Sequence, residues 1–96
     1  MTRPTLHVVA GVLTDARGRV LIAQRPAGKH LAGGWEFPGG KRGDGESREA
    51  ALRREFVEEL GVEVVDARPL IRYCHDYPDR RVELDVWRIL DHAGEP

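Results

Sequence analysis

Three glutamates, Glu55, Glu58 and Glu59, lie in the run SREAALRREFVEEL, which extends from Ser47 to Leu60 without Gly or Pro and is followed by Gly61. A run of helix formers closed by a glycine predicts a helix of about fourteen residues. At roughly 100° per residue, with Glu55 as zero, Glu58 falls near ~300° and Glu59 near ~40°, so the three carboxylates share one stripe. Leu52, Phe56, Val57 and Leu60 occupy the adjoining arc and are expected to face a core, which sets the acidic stripe at the border of the buried side. Like charges at this spacing cost a few tenths of a kcal/mol per pair unless something cationic sits among them. Oxygen-only donors suit Mg²⁺ or Mn²⁺ better than Zn²⁺, and Mg²⁺ is usually shared with phosphates, so the chemistry suggested is metal-assisted work on a phosphorylated substrate. The plainer reading is a charged helix paired with Arg48, Arg53 and Arg54, and from the helix alone that reading leads.

The residues in front of the helix shift the balance. Phe37, Pro38, Gly39, Gly40 and Lys41, followed by Gly43 and Gly45, read as a glycine-rich loop whose backbone can take φ > 0 and approach a ligand closely, with Pro38 fixing its start. Such a loop beside an acidic helix can present carbonyls to a metal.

The spacing Gly40, five residues, Glu46, seven residues, Arg54-Glu55-Phe56, one residue, Glu58-Glu59, one residue, Gly61-Val62 resembles the Nudix box, with Phe56 where an aliphatic residue is more usual. The flanking WEFPGGK, Trp35 to Lys41, is similar to the MutT-type branch, the 8-oxo-dGTP diphosphatases. The likeness extends from about Leu6 to the last strand. It implies a Nudix fold of the α/β (α+β) class, a mixed β-sheet with the loop and helix packed on it. It also implies that Glu55, Glu58 and Glu59 bind Mg²⁺ together with the Gly39 carbonyl, and that either Glu55 or Glu46 orients or deprotonates water. Arg54 falls near ~260° on the wheel, beside Glu58, which suits an ion pair that fixes a ligand's rotamer. By the same resemblance Arg25, His30 and Phe37 lie around the nucleotide, and Asp79 and Arg80 help close over the purine and its sugar-phosphate. The plain alternatives are a solvated strand-end Arg25, an exposed loop His30, a core Phe37 and a hairpin turn with solvated charges. Gly40 lets backbone near the substrate, and Lys41 either touches a phosphate or stays a solvated loop lysine.

Ninety-six residues with a net charge of −1 read as one domain, 1–96, and argue against polymeric nucleic acid as the main partner. A mononucleotide needs no basic excess. One cysteine, Cys74, excludes an intramolecular disulfide and reads as a buried structural thiol in a reducing cytoplasm. No signal peptide or membrane-spanning run is evident, so a soluble cytoplasmic protein is expected.

Along the chain, Leu6–Leu13 and Val20–Ala23 read as strands joined by the turn Thr14–Gly18, a hairpin forming the sheet floor. Trp35-Glu36-Phe37 is a short strand with Trp35 expected in the core. Val62–Ala67 and Leu70–Cys74 read as two extended segments broken at Arg68-Pro69, and Arg81–Leu90 as a half-buried strand with Val82, Leu84 and Val86 inward and Glu83 and Asp85 outward. The resemblance implies further strands, a second helix, a further metal-binding Glu and a purine-reading Asn beyond this point. No position here matches them, so the chain reads as C-terminally truncated, with exposed apolar surface, and as a monomer or weakly self-associating. The activity expected is hydrolysis of 8-oxo-dGTP to 8-oxo-dGMP and pyrophosphate. The alternatives are another nucleoside diphosphate derivative, such as a CTP analogue, a dATP analogue or ADP-ribose, or a nucleotide-binding part of a larger fused protein.

Overall fold

A computed structural model describes residues 4–24 and 34–96. Among the described residues the strands are β1 (Thr5–Val12), β2 (Ala23–Gln24), β3 (Trp35–Glu36), β4 (Gly39–Lys41), β5 (Glu63–Asp76) and β6 (Arg81–Ala93), with one helix, α1 (Arg48–Leu60). Four strands form a mixed sheet in the order β4-β1-β6-β5, and β2 and β3 form a separate antiparallel pair. Within the sheet β1 runs antiparallel to β4 and parallel to β6, while β5 and β6 form a long antiparallel hairpin.

The helix begins where the sequence predicts. Ser47 is the N-cap, its Oγ accepting from the Ala50 amide at 3.1 Å, and Gly61 closes the other end at φ 65°. Ser47→Ala removes that acceptor and is expected to cost about 1 kcal/mol of stability, read as a lower urea midpoint at unchanged slope.

Ala51, Leu52 and Phe56 are buried against Val9, Leu13, Val62, Val64, Trp87 and Ile89, which places α1 on one face of the sheet. Gly11 on β1 leaves the hollow that Phe56 fills, because a Cβ there would strike the ring. Val57, expected on the core arc, is 55% exposed. The sheet accepts a narrower stripe than the wheel allowed, centred on Leu52 and Phe56.

Several strand expectations are corrected. The second apolar run does not form a full hairpin with β1. Pairing stops after the Thr14–Val20 bridge and the Leu21 amide on the Leu13 carbonyl (2.9 Å), and the chain then pairs Ala23 and Gln24 with Glu36 and Trp35. Both edges of β1 are already taken by β4 and β6. The segments on either side of Arg68-Pro69 are one strand. β5 is an edge, where a missing N–H is tolerated, and register shifts such as that between Pro69 and Ile71 absorb the irregularity. Gly39–Lys41 is strand, not loop, and Gly45 is the only glycine between Phe37 and Ser47 with positive φ.

Trp35 is 65% exposed and Cys74 is exposed, against the core positions expected for both, because β3 pairs only with β2 and β5 is a sheet edge. Asp85, expected outward, is buried at 4% exposure. The sheet face away from α1 carries Val8, Ala10, Leu84 and Val86, continued on β5 by Tyr73 and Ile71, which are largely exposed. No helix among the described residues is long and apolar enough to cross a membrane.

Candidate active site

The site is built from β4 and the turn leading into α1. β4 lies against β1 in the register Val8–Lys41, Val9–Gly40 and Ala10–Gly39, and the Gly11 amide donates to the Pro38 carbonyl at 2.9 Å. Gly39 must lack a side chain, since a Cβ there would run into the Val9 backbone. At Gly40 the neighbour is different: a Cβ would sit 2.5 Å from the Glu55 carboxyl group. The bare backbone of β4 is therefore a notch that receives a helix carboxylate.

Arg54 gathers the acidic residues around this notch. Its Nε and Nη2 donate to Glu46 Oε2 and Oε1 at 2.7 and 2.9 Å, and Nη2 also reaches the Lys41 carbonyl at 2.9 Å. Nη1 donates to Glu55 Oε1 at 3.0 Å and Glu58 Oε2 at 3.2 Å. Arg54 thereby ties strand, turn and helix together at one guanidinium. The Gly39 amide donates to Glu59 Oε2 at 2.9 Å, bringing the fourth carboxylate to the start of β4. Glu55 is the most enclosed helix carboxylate on the notch, 15% exposed against 58% for Glu58.

Charge follows this geometry. The Arg54 hydrogen bonds, aided by the Gly43 amide, hold the Glu46 carboxyl down at about 2. Arg54 itself is raised by Glu46 and then Glu55. Loss of solvent pushes Glu59 up, with Glu55 and Glu36 as like charges adding to it and the Gly39 amide opposing. Because the folded pKa of Glu46 lies below its ordinary 4.5, its contribution is full above that value and is lost as the pH falls through about 2. In an NMR titration the Glu46 carboxyl is expected to stay ionised at pH 4 and to protonate near 2. A midpoint near 4.5 would contradict the Arg54 tether.

A cleft of 270 Å³ opens beside the notch, lined by Val8, Val9, Ala10, Glu36, Phe37, Gly39, Gly40 and Leu84. Of the residues predicted to meet substrate, Phe37 and Gly40 line it. Lys41 is exposed at the end of β4, with its carbonyl on Arg54. Asp79 and Arg80 sit at the β5–β6 turn, where the Tyr77 amide meets the Arg80 carbonyl at 2.7 Å and the Arg80 guanidinium lies 5.9 Å from the Tyr77 ring centroid; neither lines the cleft. Arg25 and His30 lie outside the described residues. Sequence reading placed the strand of Val8, Val9 and Ala10 in the floor without naming them as lining residues, and missed Glu36 and Leu84. The alternation of Val82, Leu84 and Val86 was the one signal for Leu84, and the parallel partner β1 could not be read from it.

Among the described residues no three acidic, His or Cys side chains already converge as a ready metal centre. Arg54 and the Gly39 amide hold the helix carboxylates on separate partners. The donor set nonetheless fits a hard divalent ion: it is all oxygen, and Glu55 and Glu59 already reach the bare backbone of β4 at Gly40 and Gly39.

Residues 9–96 match the NUDIX domain family. The chain belongs to the Nudix hydrolase family. It is 43% identical over 95 residues to an 8-oxo-dGTP diphosphatase of Proteus vulgaris, covering 99% of this chain and 85% of that protein. It is 57% identical over 91 residues to a putative 8-oxo-dGTP diphosphatase 2 of Mycobacterium tuberculosis, covering 93% of this chain and 63% of that one. A CTP pyrophosphohydrolase of Escherichia coli is 38% identical over 89 residues, 93% of this chain and 65% of that one. The crystal structure of a MutT NUDIX hydrolase from Burkholderia pseudomallei superposes with a TM-score of 0.88 at 28% identity, covering 98% of this chain and 73% of that chain. Within the family these likenesses place the chain in the MutT-type branch.

Proposed function

We propose that this chain is a Mg²⁺-dependent nucleoside triphosphate pyrophosphohydrolase that converts 8-oxo-dGTP and water to 8-oxo-dGMP and pyrophosphate. The observation that supports this reading is that the apolar cleft around Phe37 and Leu84 shares Gly40 of β4 with the notch that receives the Glu55 carboxylate. A base lies on the apolar floor, and its phosphates reach the acidic helix.

Glu55, Glu58 and Glu59, with the Gly39 carbonyl, would hold Mg²⁺, or Mn²⁺ in its place. The ion supplies neutralisation of phosphate charge and a lower pKa for a bound water. Arg54 keeps Glu46, Glu55 and Glu58 in a common frame. Glu46 has both oxygens engaged by Arg54, one of them also by the Gly43 amide, and is a weak base at about 2, so its part is to fasten the turn to the helix. Glu55 then takes the proton of the attacking water. Phe37 and Gly40 would bound the nucleotide, and the family resemblance alone offers Arg25, His30, Lys41, Asp79 and Arg80 as further residues to contact it.

The substrate is a small nucleotide in the cytoplasm, acted on by a single Nudix domain that is monomeric or weakly self-associating. The likeness to a CTP pyrophosphohydrolase gives the second reading its support. Pyrophosphate release from 8-oxo-dGTP, dGTP, dATP, CTP and ADP-ribose, compared as kcat/KM, tests the assignment. A preference of tenfold or more for 8-oxo-dGTP over dGTP is expected; a preference for CTP transfers the assignment to the second reading.

A further inference from the structure

Arg48 and Asp85 stand 37 residues apart in the chain and meet as a two-pronged pair, Nε to Oδ2 at 2.5 Å and Nη2 to Oδ1 at 2.9 Å. The Arg48 guanidinium also lies 5.1 Å from the centroid of the Trp87 ring. Asp85 is the buried charge of β6, 4% exposed, on the sheet face that α1 covers. Burial, the largest influence, pushes its carboxyl up, but the Arg48 hydrogen bonds, the nearby Trp87 indole and the charges of Arg48 and Arg72 together outweigh it and hold the carboxyl below its ordinary value. The buried Trp87 indole N–H has no partner in hydrogen-bond geometry.

The core contacts of α1 with the sheet, through Ala51, Leu52 and Phe56, are apolar, and the other polar ones, from Arg53 to the Val64 and Val65 carbonyls, Arg54 to the Lys41 carbonyl and the Gly39 amide to Glu59, all lie beyond the first turn. Apolar contacts resist separation more than rotation, because the hydrophobic effect has no direction. A planar fork on a fixed carboxylate is directional. Seven residues separate Arg48 from Glu55, which returns the helix to within about 20° of the same azimuth some 10 Å further along its axis. Fixing Arg48 at the first turn therefore sets, together with the Arg54 and Glu59 bonds further along, the direction in which Glu55 points, and Glu55 points into the Gly40 notch.

We propose that Arg48 and Asp85 are positioning residues: a clamp between the first turn of α1 and β6 that sets the rotation of the helix and so aims Glu55 at the notch. This deepens the hydrolase reading and rests on it for its kinetic consequence.

The test uses the full chain and two variants. Arg48→Met with Asp85→Leu removes the pair without leaving a lone buried charge, a replacement that folded proteins often accept. Arg48→Lys keeps the charge but loses the fork. Each is measured for urea midpoint, for kcat and KM on the preferred nucleotide, and for the NOE between the Gly40 Hα protons and the Glu55 side chain. The double variant is expected to fold, to lose about 10- to 100-fold in kcat with KM within about twofold, and to lose the NOE, as suits a misplacement of roughly 1 Å. Arg48→Lys is expected to keep the midpoint and lose at least about fivefold in kcat, and it decides the matter if the double variant does not fold. Wild-type kcat and NOE intensity in a folded variant would overturn the clamp. If the wild type turns over no nucleotide, the hydrolase reading fails, and the NOE alone decides the clamp.

Discussion

Glu55→Gln is expected to lower kcat by about a thousandfold, within the range of a lost general base, while leaving the urea midpoint close to wild type. Glutamine keeps the shape and the Oε1 acceptor that Arg54 Nη1 reaches at 3.0 Å, so the frame around the guanidinium survives. It removes the basicity and the negative charge at the most enclosed position of the helix stripe. Glu46→Gln separates the two acids left open by the sequence. Its carboxylate is held by Arg54 and the Gly43 amide and faces the turn, so its loss is expected to loosen that turn and to cost less in kcat. Parallel kcat measurements on the two variants with Mg²⁺ decide between them, and equal losses would mean that Glu55 is not the base.

Gly40→Ala is expected to reduce kcat/KM by about a hundredfold with little change in stability. The added Cβ would sit 2.5 Å from the Glu55 carboxyl group, the far end of a flexible side chain, so the fold can yield by turning Glu55 away. That turn displaces the acting carboxylate, and a displacement of about 1 Å at a reacting group costs roughly 10²-fold. Thermal unfolding and steady-state kinetics on the same sample check both halves. A variant with wild-type kinetics would show that the notch does not place Glu55.

The local parts of the fold were legible because their causes are local. The helix from Ser47 to Gly61 follows from an unbroken run of helix formers between a good N-cap and a glycine, and the structure gives α1 as Arg48–Leu60 with those two residues at its ends. The β6 strand from Arg81 was legible from alternation. What failed was settled by distant partners. Asp85 alternates like a solvated residue, yet it faces Arg48 across 37 positions, and nothing in either segment announces that meeting. The expected hairpin gave way because β4 and β6 occupy both edges of β1. Val57 faced the core on the wheel but not on the sheet. At the site, the shared stripe of Glu55, Glu58 and Glu59 was legible from spacing, and the gathering of Glu46, Glu55 and Glu58 on Arg54 was legible only as a neighbour relation between Arg54 and Glu58. The notch at Gly40 was read as a flexible loop. Its real cause, a strand pressed between β1 and a carboxylate, is a tertiary fact.

The central claim is metal-dependent hydrolysis through the acidic stripe of α1. Its most direct test is product analysis of 8-oxo-dGTP incubated with the folded chain in Mg²⁺, in EDTA, and with Glu58→Gln in Mg²⁺. 8-oxo-dGMP and pyrophosphate are expected in equal amounts with Mg²⁺, none in EDTA, and the rate is expected to collapse in the variant. Turnover that persists in EDTA, or its absence with every nucleotide in a chain shown to be folded, would contradict that claim.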